Sequence, residues 1–249
     1  MKVIVQDLAV EYKDEGSGKT LLFLHGWKSN LDSFDKIVSL LLPHYRVIRL
    51  DLPGFGKTDI PKETWDLDKY ISFVVDFIQK LNIKVDVIIG HSFGGRIIIK
   101  GESKKVFKVE KIVLIGSAGI AKRKTFRNYF FKVLTKTGKF ITAVPPLSLI
   151  RESLRKKIYS FTGNDYINAG PLKDTFLKII NEDLTHYATK ITTPSILIWG
   201  INDTETPVTD GRKLSTLIKN SSFHIVENSG HFVHVQKTEE IIELIKKFI

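Results

Sequence analysis

Cysteine is absent from the 249 residues. The chain can therefore form no disulfide, offer no thiolate to a metal and supply no Cys nucleophile. Long apolar runs are also missing: none approaches the roughly 18 residues that a membrane-spanning helix needs. The first residues, Met1-Lys2-Val3-Ile4-Val5-Gln6, enter an alternating strand pattern directly. They lack the basic start, apolar core and small-residue cleavage site of a secretory signal. Together these absences lead to the expectation of a cytoplasmic protein. Internal repeats and low-complexity tracts are missing too. Two stretches end like a phosphate-binding loop, Gly18-Lys19-Thr20 and Gly56-Lys57-Thr58, but the first glycine of that motif is replaced by Lys13 and Asp51. Neither supports nucleotide binding.

Acidic residues are scarce in one segment. Residues 120–160 hold 11 Lys or Arg against a single acid, Glu152, whereas the rest of the chain holds 27 basic and 26 acidic residues. One segment thus carries nearly all of the net charge of +11. Such a concentration suits a weak contact with an anionic membrane surface or an acidic substrate. A solvated helical face in a Lys-rich protein would look the same. No nucleic-acid partner is expected.

What is present reads as one domain, or one domain with an insert. Residues 2–5 and 8–13 alternate around Gln6-Asp7, as in a hairpin. Apolar strands follow at 20–24, 45–50, 85–89, 111–115, 195–199 and 222–226. Helical spacing recurs at 31–42, 66–81, 208–219 and 238–248, and from Arg96 to Lys105. Strands alternating with helices, and strands apolar almost throughout, predict a parallel sheet covered on both faces. Residues 120–188 break the rhythm: they are basic, aromatic and helix-like, with Pro145-Pro146 as an interruption. The expected organisation is a core of residues 1–119 and 189–249 with a helical insertion over 120–188.

The chemistry centres on Gly90-His91-Ser92-Phe93-Gly94-Gly95. G-x-S-x-G also arises by chance in glycine-containing loops, but here a strand precedes it and a helix follows, the context of a nucleophile elbow. The Ser backbone would be strained, and side chains at Gly90 and Gly94 would collide with the closely approaching strand and helix. A hydroxyl is a weak nucleophile at neutral pH and needs a base, itself oriented by an acid. In this arrangement the chain order is Ser, acid, His, each in a loop after a strand. Asp203, after the strand 195–199, and His231, after the strand 222–226, meet that order. Asp51 and Glu205 are weaker substitutes for the acid. His91 is expected to be buried and hydrogen-bonded, and His234 to be structural, in the first turn of the terminal helix and away from the elbow. Two backbone N–H groups should face the developing oxyanion. They are Phe93, just after the nucleophile, and Trp27 in His25-Gly26-Trp27, after the strand 20–24.

These motifs, with Asp51-Leu52-Pro53-Gly54-Phe55-Gly56, Trp199-Gly200 through Asp203 with Pro207, and Gly230-His231-Phe232, resemble the α/β-hydrolase fold, specifically its small capped esterase and lipase-like branch. The resemblance spans nearly the whole chain outside 120–188. It implies an α/β protein with a mainly parallel eight-stranded sheet flanked by helices and a helical cap inserted after the sixth strand. It also implies an ester hydrolase working on a small-molecule ester or acyl substrate with Ser92, His231 and Asp203, needing no cofactor and no metal. Two alternatives come with the family. One is cleavage of C–C bonds in ring-fission diketones, although many such enzymes carry Trp after the catalytic His where this chain has Phe232. The other is a ligand sensor with slow turnover. In the cap, Phe126, Tyr129, Phe130, Phe131, Phe140, Tyr159, Phe161 and Tyr166 would pack the lid or line its underside.

Overall fold

The computed structural model describes residues 1–121 and 170–249. Eight strands form a single sheet: β1 Lys2–Val5, β2 Leu8–Glu15, β3 Lys19–Leu24, β4 Tyr45–Leu50, β5 Val87–His91, β6 Lys111–Ile115, β7 Ser195–Gly200 and β8 Ser221–Val226. Their spatial order is β1-β2-β4-β3-β5-β6-β7-β8. Strands β1 and β2 pair antiparallel, β2 runs antiparallel to β4, and every pairing from β4 onward is parallel. The hairpin turn is Gln6-Asp7, with φ of 49° and 60°. Two successive left-handed residues are what a two-residue turn needs to match the strand twist.

Helices α1 Asp35–Leu41, α2 Leu67–Lys80, α3 Phe93–Ser103, α4 Lys173–Asn181, α5 Thr185–Ala188, α6 Val208–Leu217, α7 Val233–Gln236 and α8 Thr238–Phe248 connect or follow the strands. One face of the sheet, with Leu21, Phe23, Val87, Ile89, Val113, Ile115, Ile196 and Ile198, packs on Ile37, Val38 and Leu41 of α1 and on Ile241, Ile242 and Ile245 of α8. Burial of each such isoleucine contributes about 1.5–3 kcal/mol. Strand alternation turns Leu22, Leu24, Ile88, Leu114 and Leu197, all fully buried, to the opposite face. There α3 lies against β3, β5 and β6, and α6 against β7 and β8. With both faces covered, the central strands have no solvent side, which is why they read as unbroken apolar runs.

Two boundaries differ from the sequence reading and one agrees with it. The helix expected over 31–42 opens as a 3-10 turn, Leu31–Phe34, whose first N–H groups are met by the Asn30 side chain accepting from Asp32 N at 3.0 Å. The helix after the elbow begins at Phe93, not Arg96, because Gly94 and Gly95 form its first turn. Helix α2 starts where expected, capped by the Asp66 side chain accepting from Lys69 N at 3.0 Å.

The chain divides into two compact units, Met1–Ile120 with Glu182–Ile249, and Ala121–Asn181. Most of the expected cap, with its basic run and all eight of its singled-out aromatics, lies outside the described residues. The described part of the second unit is a 3-10 turn, Gly170–Leu172, leading into α4. In the first unit the chain resumes at Glu182, ahead of the expected 189. Two buried cations of α3 hold it there: Arg96 donates to the Glu182 carbonyl, and Lys100 Nζ meets Glu182 Oε1 at 2.6 Å. Leu184 N then donates to Gly119 O at 2.9 Å. Among the described residues no helix is long and apolar enough to cross a membrane.

Candidate active site

Parallel strands all end at the same edge, so the loops after β3, β5, β6, β7 and β8 gather along one rim. Ser92 stands at the tip of the tightest of them. Its φ is 49° and its ψ −105°, a conformation that an L-residue adopts only under constraint. The constraint is steric and comes from both sides. A Cβ at Gly94 would lie 2.1 Å from the Leu24 carbonyl oxygen, and one at Gly90 would lie 2.7 Å from Gly94 C and Gly95 N. Backbone hydrogen bonds fix the tip: Ser92 N to Ile115 O at 3.0 Å, Ala118 N to Ser92 O at 3.1 Å and Gly94 N to His25 O at 3.1 Å. Ser92 is half-buried, so its hydroxyl is neither sealed in the core nor fully in water.

Asp203 and His231 meet on the same rim. His231 Nδ1 lies 2.9 Å from Asp203 Oδ2. A carboxylate can only accept, so Nδ1 carries the hydrogen and Nε2 keeps a lone pair. Asp203 Oδ1 accepts from Glu205 N and Thr206 N, each at 2.9 Å, and Thr206 Oγ1 lies 2.8 Å from Oδ2. Burial pushes the Asp203 carboxyl up, yet its hydrogen bond to His231, the His231 charge and the two bonds from Thr206 outweigh that and hold it below the usual range. The acid loop is tied to the histidine loop through Asn202 N donating to Ser229 O at 2.9 Å.

The elbow and this pair are joined by two links. His91, the residue before Ser92, places Nε2 3.0 Å from the His231 carbonyl, and the two rings are 4.7 Å apart. Gly116 borders both: it follows Ile115, the acceptor of Ser92 N, and a Cβ there would lie 3.3 Å from Asp203 Oδ2 and 3.5 Å from His231 Nδ1. Among the described residues Ser92 Oγ makes no hydrogen bond to His231. The group beside His231 Nε2 is Glu205, at 3.5 Å.

The weaker candidates fall into place differently. Asp51 Oδ1 accepts from Leu31 N and its Oδ2 from Lys57 N, both at 2.7 Å, so it ties two loops and takes no part in the His231 pair. Glu205 does not replace Asp203, since it stands at Nε2 rather than Nδ1. His91 is buried and hydrogen-bonded as expected. His234 is corrected on two counts. It sits in the short helix α7, separated from α8 by Lys237 in a non-helical conformation (φ −133°, ψ 49°), and its ring is only 4.3 Å from that of His91. It lies behind the elbow in the core. Neither of its ring nitrogens has a hydrogen-bond partner among the described residues, and burial lowers its pKa to about 4.

Trp27 and Phe93 are neighbours across the other side of Ser92, with ring centroids 5.3 Å apart. Phe93 opens α3, where a helix offers N–H groups with no intrahelical acceptor. His25, just before the Trp27 turn, accepts from Leu52 N on Nε2 at 2.9 Å, so its Nδ1 donates to Gly26 O at 2.7 Å. Burial keeps it neutral, with a pKa of about 4.

Sequence reasoning missed a set of rings and a hydroxyl. Phe55 packs on Trp27 at 4.8 Å and Tyr70 on Phe93 at 5.0 Å, so aromatics of the core form an apolar wall beside the elbow. No local pattern marks them. Thr206 was findable: an Asp with polar residues two and three positions on is the spacing of a side-chain-closed turn. Among the described residues no three His, Asp or Glu side chains converge as a metal site requires.

A family model described as the alpha/beta hydrolase fold matches residues 19–238. The chain is 29% identical over 254 residues to the uncharacterized hydrolase YugF of Bacillus subtilis (strain 168), covering 96% of this chain and 92% of that one. It is 26% identical over 261 residues to the 2-hydroxy-6-oxo-6-(2'-aminophenyl)hexa-2,4-dienoic acid hydrolase of Metapseudomonas resinovorans, covering 96% and 86%. In fold it is similar to the solved esterase from Exiguobacterium antarcticum, with a TM-score of 0.76 at 23% identity over 99% of this chain and 98% of that one.

Proposed function

The chain belongs to the alpha/beta hydrolase fold family and is a hydrolase; from that premise we propose that it cleaves carboxylic esters through an acyl-enzyme at Ser92. The observation that carries the reading is the 2.9 Å bond between His231 Nδ1 and Asp203 Oδ2 on the rim that bears the strained Ser92 turn. Ser92 Oγ attacks the ester carbonyl while His231 Nε2 takes its proton. The Trp27 and Phe93 backbone N–H groups stabilise the oxyanion. His231 then gives the proton to the departing alcohol, and water repeats the cycle to release the acid. Asp203 keeps the imidazole in the Nδ1–H form and stabilises the imidazolium.

A second reading is cleavage of a C–C bond in a vinylogous diketone, favoured by the similarity to the Metapseudomonas hydrolase. It uses the same residues, so substrate choice separates the two. The test is a panel of p-nitrophenyl esters of increasing chain length beside a ring-fission diketone, run with the wild type and Ser92→Ala. Ester turnover that falls by about 10⁶ in the variant supports the reading. Turnover surviving Ser92→Ala overturns the nucleophile. Turnover of the diketone alone moves the assignment to C–C cleavage.

A further inference from the structure

Glu205 occupies an unusual place: its Oε2 is 3.5 Å from His231 Nε2, the nitrogen opposite the Asp203 bond. Its backbone is anchored by the site itself, since Glu205 N donates to Asp203 Oδ1 at 2.9 Å. Its side chain is 56% exposed, so an incoming molecule can reach it. Among the described residues no Lys or Arg pairs with it, so apart from the His231 contact its charge is open to a ligand.

We infer that Glu205 selects esters by the charge of their leaving alcohol, favouring cationic over anionic ones; this rests on the serine-ester reading above. The proton taken from Ser92 Oγ is returned from His231 Nε2 to the alkoxide oxygen as the carbonyl C–O bond breaks. That oxygen must therefore come within about 3 Å of Nε2. A carboxylate beside the same nitrogen then lies within about 7 Å of the departing oxygen, and closer to a substituent two or three atoms beyond it. The acyl group leaves by neither path, because it stays on Ser92. Glu205 thus acts on the alcohol half of the substrate and not on the acid half. Its effect opposes the overall charge of +11, which draws anions to the molecule as a whole. Local and global charge are separable because only the local one is removed by a change at residue 205.

The test uses three acetate esters that share an acyl group: those of choline, of its uncharged isostere 3,3-dimethylbutanol, and of glycolate. In the wild type kcat/KM for the choline ester should exceed that for the isostere. In Glu205→Gln the ratio between these two should fall about tenfold, and in Glu205→Lys it should drop further while the glycolate ester gains. Ratios that stay within twofold across the three proteins would overturn the inference. A second readout does not depend on turnover: carbamoylation of Ser92 by aryl carbamates with trimethylammonio-, tert-butyl- or carboxylate-substituted phenols, followed by intact mass. Each forms the Ser92 Oγ–carbonyl bond, breaks the aryl C–O bond and releases the phenol with the proton from His231. Charge-selective labelling that Glu205→Gln abolishes would uphold Glu205 even if the acetate esters were not hydrolysed, a failure that falls on the ester reading alone. Labelling indifferent to the charge of the phenol overturns Glu205 and leaves the nucleophile standing. No labelling and no turnover would overturn both.

Discussion

The two sides of the rim hold their polar groups by different means. At Ser92 the backbone is responsible: two missing side chains, Gly90 and Gly94, let β5, β3 and α3 approach, and the serine is forced to a φ of 49°. At His231 and Asp203 hydrogen bonds are responsible: the Asp203 carboxylate is held by the backbone N–H groups of Glu205 and Thr206, the Thr206 hydroxyl and the buried imidazole. A steric clamp tolerates almost no change in shape, whereas a hydrogen-bonded network tolerates changes in shape better than changes in proton inventory. The elbow should therefore be sensitive to volume, and the acid–base pair to donors and acceptors.

The largest effect should come from disturbing the network without altering its shape. Asp203→Asn keeps the size and can still accept the two backbone N–H bonds, but its amide forces the other His231 tautomer. Under the proposed reading kcat for p-nitrophenyl esters should fall about 10⁴-fold, with the urea midpoint nearly unchanged. Retained activity would break the comparison on that side. On the other side Gly94→Ala adds a single methyl that would meet the Leu24 carbonyl at 2.1 Å. It should destabilise the protein by about 3 kcal/mol or more in urea unfolding. A wild-type midpoint would show that steric exclusion does not hold the elbow.

Next comes acid sensitivity. Burial lowers both His25 and His234 from 6.5 to about 4. Between those values the unfolded chain binds protons that the folded chain refuses. Stability is therefore full above about pH 6.5 and falls as the pH drops toward 4, by up to about 3 kcal/mol for each histidine. Urea melts at pH 7, 6, 5 and 4 check this, and a flat profile would contradict it. The smallest effect sharpens that result. Among the described residues His234 has no hydrogen-bond partner, so His234→Leu should change stability at pH 7 by no more than about 1 kcal/mol. It should also remove the share of His234 from the acid loss.

How far the site could be read in advance follows the same division. The elbow was legible because its code is local: six consecutive residues with two glycines at fixed offsets can do one thing when a strand precedes and a helix follows. Asp203 and His231 were legible by order, each in the loop that follows a strand after the elbow. Glu205 was visible only as a spare acid, since nothing in its neighbourhood states which imidazole nitrogen it will face. The hydrogen bond from His91 to the His231 carbonyl spans 140 residues of chain. The placement of His234 failed for the same reason, as its spacing fits the terminal helix while Lys237 breaks that helix off.

By itself the sequence determined the alternation of strand and helix, the hairpin and the six apolar strands, and the position of the serine turn, because periodicity and glycine spacing are properties of short stretches. Tertiary structure alone decided which strands became neighbours, which carboxylate took which side of His231 and which rings of the core came to flank Ser92. Those outcomes depend on loops that end on a common edge only after the sheet has assembled, and no short stretch of chain contains that information.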